Sequence, residues 1–87
     1  MKKTTLEITY IENGETVIES QTGYIFPAKT NDDIEIELFA FKDGTGWTAI
    51  EPISTAFVSY GSSRNYVMAY AKENVESMSY NDFIKGN

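Results

Sequence analysis

At 87 residues the chain has room for one domain spanning residues 1–87, and a domain this small has a narrow margin of stability. Cysteine and histidine are both missing, which removes disulfides, thiol nucleophiles, thiolate metal sites and the side chain that ordinarily titrates near neutrality. A net charge of -6 disfavours direct binding to nucleic acid or anionic lipid, because phosphate neutralisation needs clustered Lys and Arg.

The 12 aromatics (six Tyr, five Phe and one Trp) supply enough apolar area to oppose disorder. Met1-Lys2-Lys3 resembles the start of a secretory leader, but Glu7 interrupts any apolar run behind it. No segment approaches the ~20 apolar residues of a membrane span. The expectation is a protein of the cytoplasm of a bacterial host cell, with no membrane partner.

From Thr4 to Ile11, Leu6, Ile8 and Tyr10 alternate with Thr5, Glu7 and Thr9, which predicts a strand with one buried face. Asn13-Gly14 signals a hairpin. A plain two-residue loop would set Glu19 beside Ile8 on the core face. A three-residue loop pairing Glu12 with Thr16 is therefore expected, with Tyr10 opposite Ile18 and Ile11 opposite Val17. The second strand should run from about Thr16 to Phe26, with Pro27 ending it or marking an edge.

After a turn at Thr30-Asn31-Asp32, Asp33 to Phe41 predicts a third strand. Ile34, Ile36, Leu38 and Ala40 share its core face; Asp33, Glu35, Glu37, Phe39 and Phe41 share the other. A glycine-rich connection at residues 42–46 leads to short strands at Trp47–Ile50 and Ala56–Tyr60. Ser62 or Ser63 caps a helix with an apolar stripe of Val67, Tyr70, Ala71, Val75 and Met78. Ser79-Tyr80-Asn81-Asp82 reads as a second cap, with Met78 and Phe83 at staple positions and Gly86 as the stop. Residues 1–61 are thus mainly β and 62–87 mainly α. The expected fold is α+β: an antiparallel sheet of four to five strands, one long C-terminal helix packed on it, and a short final helix. An orthogonal small barrel is the alternative. The helix-sheet core should be Ile34, Ile36, Leu38, Val67, Tyr70, Ala71 and Val75.

Several constellations bear on chemistry. Asp33, Glu35 and Glu37 lie in a line roughly 7 Å apart on a strand, which suits a solvated or protein-binding stripe better than a metal site. Phe39 and Phe41 extend that face as aromatic anchors, unless they form a second small core under Trp47. Ser54, Thr55, Ser59, Ser62 and Ser63 have no histidine base. Gly44, Gly46 and Gly61 are turn glycines, since no phosphate-loop Lys-Ser/Thr follows. Tyr66 and Tyr70, four residues apart, read as core. No enzymatic activity, metal or cofactor is expected.

Trp47-Thr48, Ala56-Phe57-Val58, Gly61-Ser62-Ser63 and Ala69-Tyr70-Ala71 resemble a pattern among small accessory proteins of phages and mobile elements: a Trp-bearing strand, a second strand, then Gly-Ser opening an Ala-rich helix. Pro52, Tyr66 and Met68 depart from it. The resemblance implies an accessory role and assigns no functional residue. An acidic strand on a compact domain suits a basic groove of another protein. The expectation is a small non-catalytic inhibitor of a host nucleic-acid enzyme, of the anti-CRISPR or another anti-defence kind. The candidate contact residues are Asp32, Asp33, Glu35, Glu37, Phe39, Phe41 and Asp43. The protein would be a monomer or weak dimer. The alternative is an assembly protein that self-associates through its sheet edge.

Overall fold

The computed structural model describes residues 2–85. Five strands, β1 (Lys2–Glu12), β2 (Glu15–Lys29), β3 (Glu35–Asp43), β4 (Gly46–Glu51) and β5 (Ala56–Gly61), precede two helices, α1 (Arg64–Glu76) and α2 (Tyr80–Lys85). The strands form one antiparallel sheet in the order β1-β2-β3-β4-β5. The expected α+β layout is present as an open meander, and β1 and β5 are its two edges. The principal helix is shorter than expected, at 13 residues. Ser63 caps it by accepting the Tyr66 amide at 3.2 Å. No helix among the described residues is long and apolar enough to cross a membrane.

One face of the sheet meets the helices. Phe26, Leu38, Ala40 and Ala49 from the strands bury against Val67, Ala71 and Val75 of α1 and Phe83 of α2. Small residues at Ala40, Ala49 and Ala71 allow helix and sheet to approach. Two buried or half-buried polar ties fix the helix over β5: the Ser59 hydroxyl donates to the Val67 carbonyl at 2.8 Å, and Asn74 Nδ2 donates to the Val58 carbonyl at 3.1 Å. Buried polar groups need partners of this kind.

Three residues expected in the core lie elsewhere. Ile34 is exposed because the chain is still turning there. Tyr66 and Tyr70 are 56% and 45% exposed and stack on each other, with ring centroids 5.8 Å apart. Both tyrosines flank the Val67-Ala71-Val75 stripe. A stripe drawn from apolar spacing alone admitted a side chain one step too far round the helix.

The opposite face carries a second buried cluster of Ile8, Phe39, Phe41 and Ile50, with Leu6 and Ile25 packed against it. No helix among the described residues covers this face. The sheet coils so that Ile8 of edge strand β1 joins Ile50 of β4. Gly23, opposite Phe41, permits the tight curve, since a Cβ there would collide with the Ala40 carbonyl oxygen.

The β1-β2 hairpin differs from the expected register. Glu12 pairs with Glu15 across a two-residue Asn13-Gly14 loop, so Ile8 faces Glu19 and Tyr10 faces Val17. Both loop residues have positive φ, 52° and 80°, the conformation in which Asn-Gly matches strand twist. The clash foreseen for Glu19 does not arise. Its carboxylate stands at the rim of the concave face, accepting from the Tyr10 hydroxyl at 2.7 Å and from Gln21 Nε2 at 3.1 Å. Pro27 lies within β2, opposite Glu37. Its missing donor falls on the side where β1 has already ended, at Lys2 opposite Ile25, so no ladder bond is lost.

Candidate functional site

Of the expected contact residues, Glu35 and Glu37 lie on an open groove at one end of the sheet. The groove has a cavity volume of about 570 Å³. Its floor is the start of β3, with Glu35, Ile36 and Glu37. One wall is the turn after β4, with Glu51, Pro52 and Ile53; the other is α2, with Tyr80, Phe83 and Ile84. Ile53 is 94% exposed, and Ile84 and Tyr80 are also exposed. The lining therefore offers apolar side chains to solvent beside carboxylates, and it contains no Lys or Arg.

Each wall is held by hydrogen bonds. Thr30 to Ile34 forms a closed turn, in which the Thr30 amide donates to the Ile34 carbonyl at 3.0 Å and the Asp33 amide donates to the Thr30 carbonyl at 3.0 Å. That turn grips the helical segment at two points. The Asn31 amide donates to the Met78 carbonyl at 2.9 Å, and Asp32 Oδ1 accepts the Tyr80 amide at 3.0 Å. The Thr30 hydroxyl and the Tyr80 amide, both donating to the Asp32 carboxylate, hold its pKa below the ordinary 3.8. On the other wall, Glu51 accepts the amides of Ile53 and Ser54 at 2.9 Å each and the Ser54 hydroxyl at 2.8 Å. Burial raises the Glu51 pKa, but these donors outweigh it and leave a net lowering from 4.5. Glu51 thus shapes the turn that presents Ile53. Its carboxylate is already engaged, unlike those of Glu35 and Glu37, which stand on the exposed start of β3.

The other expected contact residues are dispersed. Asp33 precedes β3, adopts φ 67° and forms an ion pair with Lys29 at 3.4 Å, so the acidic line reduces to Glu35 and Glu37. Asp32 caps α2. Asp43 lies at the far end of β3, on the concave groove lined by Tyr10, Glu12 and Glu19. Phe39 and Phe41 are 0% and 8% exposed and cannot serve as surface anchors. They stack on each other at 5.7 Å inside the second cluster. This is the small core weighed as the alternative, closed by Ile8 and Ile50 in place of Trp47, which packs on the helix side.

Sequence reasoning missed the apolar residues that do face the groove. Ile53 follows Glu51-Pro52, a breaker that drew attention as an interruption only. Ile84 and Tyr80 lie in a helix too short to show periodicity. A signal was present: an isoleucine inside a Pro-Ser-Thr turn has no strand or helix face to bury it. Comparison with protein-family profiles, curated protein sequences and solved structures found no match.

Proposed function

We propose that this chain is a non-catalytic protein-binding domain that docks a basic segment of a partner in the groove between β3 and α2. The observation that carries the reading is the lining itself: Ile53, Ile84 and Tyr80 exposed next to Glu35 and Glu37, with no basic residue among them. Apolar anchors rimmed by charge of one sign suit a partner of complementary charge. The acidic whole, at net -6, would speed the encounter. The narrower form of the proposal is an inhibitor of a host nucleic-acid enzyme, encoded by a phage or mobile element and of the anti-CRISPR or anti-defence kind. Such an enzyme must expose Lys and Arg to hold phosphates, and a rigid acidic groove competes for them.

The test is reversal of charge at Glu35→Lys with Glu37→Lys. Both side chains are exposed, so the double variant should fold as the parent does. A partner captured by the parent from lysate of the bacterial host should be lost, and parent binding should weaken as salt rises. Salt-insensitive capture by the folded double variant removes the groove from the mechanism. Inhibition of the captured protein's nucleic-acid activity then tests the narrower form.

A second reading has its own support. The outer edge of β1 runs 11 residues without Pro or bulge. Ile11 and Ile18 stand exposed near the hairpin tip. Such an edge can pair with a second copy.

A further inference from the structure

We propose that the partner enters the β3-α2 groove as an extended strand, added to the bare edge of β3 and carrying basic and apolar side chains in alternation. This rests on the groove being the docking site.

The edge is bare because the two neighbours of β3 differ in reach. β2 pairs along β3 from Glu35, opposite Lys29. β4 begins its pairing only at Phe39, opposite Ile50. Residues 35–38 thus have β2 on one side and the groove on the other.

The phase of that edge follows from the hairpins. In a two-residue hairpin the residues flanking the loop exchange both backbone hydrogen bonds, and bonding alternates along each strand. Asp43 flanks the β3-β4 loop, opposite Gly46. Stepping back by twos, Phe41, Phe39, Glu37 and Glu35 aim their N–H and C=O groups toward the β4 side. The other hairpin gives the same phase. Glu15 flanks the β1-β2 loop opposite Glu12, so the even residues of β2 bond to β3, and Phe26 and Ala28 take Leu38 and Ile36. The main-chain groups of Glu37 and Glu35 therefore face the groove, where an incoming strand would pair with them.

The pleat then sorts the partner's side chains. Ile36 points to the helix side, where it packs against the main core and where Tyr80 and Ile84 line the groove. Glu35 and Glu37 point to the other side. An added strand shares this pleat, so side chains of one parity meet Ile36, Tyr80 and Ile84, while those of the other parity meet the two carboxylates. The fitting ligand is an extended segment of about four residues, matching the bare edge, that alternates Lys or Arg with Val, Ile or Leu. A helical ligand would space its charges three or four apart and leave the Glu37 amide and carbonyl unpaired.

The probe is a blocked hexapeptide alternating Lys and Val, compared with a block isomer of the same composition, three Lys then three Val. Two further versions of the alternating peptide carry N-methyl groups on one or the other set of alternate amides. Binding is followed by amide NMR titration and hydrogen exchange. The alternating peptide should bind at least about tenfold tighter than the block isomer. One methylated version should lose about tenfold and the other should not, because only one set of amides meets the edge. Exchange at Glu37 should slow in the complex while that at Ile36, already paired to β2, stays unchanged. If the four peptides shift groove resonances with equal affinity and leave Glu37 exchange unaltered, strand addition is overturned and the groove reading stands. If none shifts Glu35, Glu37, Ile53 or Ile84, the groove reading falls and the strand goes with it.

Discussion

Tyr10 shows how one hydrogen bond marks a surface. Its hydroxyl donates to Glu19, and that bond, with desolvation and the nearby charges of Glu19, Glu12 and Asp43, raises its pKa from 10.0 to about 12. A group whose folded pKa is raised stabilises the fold below its unfolded value and loses that contribution as pH rises through the folded one. Spectrophotometric titration should show a tyrosine step near 12, and Tyr10→Phe should delete it. Core and groove residues should separate as cleanly. Leu38 is fully buried, so Leu38→Ala should cost about 2–5 kcal/mol in urea unfolding. Ile53→Ser, at an exposed turn, should stay within about 0.5 kcal/mol while weakening partner binding. At this scale the sequence was legible where period and burial agree, as at Leu38, Ala71 and Val75. It misled at Phe39 and Phe41, because alternation assigns two faces without saying that the sheet coils to bury both.

At the scale of elements, the strands and caps were readable from local chemistry and the long-range ties were not. Ser63 and Ser79 cap as expected, Ser79 accepting the Asp82 amide at 3.1 Å. The proposed stop at Gly86 lies outside the described residues. What seats α2 is Asp32, 48 residues away from Tyr80, a pairing no local pattern reveals. Asp32→Ala should raise amide exchange at Tyr80 and along α2 and leave the β1-β2 hairpin untouched, as seen by NMR. The pH dependence has a definite sign. The folded pKa of Asp32 is lowered, so the tie is intact above the ordinary carboxylate range and is lost as pH falls through the lowered value. Acid titration of the parent should release α2 only as pH falls below the ordinary carboxylate range, and Asp32→Asn, which cannot titrate, should remove that pH dependence. The hairpin register was missed for a related reason. The Asn13-Gly14 turn preference outweighed apolar matching, and the rim of the concave face gave Glu19 a polar setting that no strand-by-strand reading contains.

For the whole molecule the open meander leaves two edges, and they are not equivalent. β5 lies beneath α1, tied through Ser59 and Asn74, while β1 is long and regular. Light scattering across a concentration range measures whether β1 recruits a second copy. The groove reading goes with a monomer or weak dimer, and a stable dimer abolished by Ile11→Lys with Ile18→Lys would transfer the weight to self-association. The strand order also bears on how the chain acquires its shape. Every strand pairs with the one made just before it, so the sheet requires no long loop to close before its first contacts form. During synthesis each new strand can zip onto an edge already waiting. α1 and α2 follow all five strands, so the apolar helix-side face stays open until residues 64–85 have been made. A truncation before Arg64 would keep that face uncovered, converting a readily assembled sheet into an aggregating one.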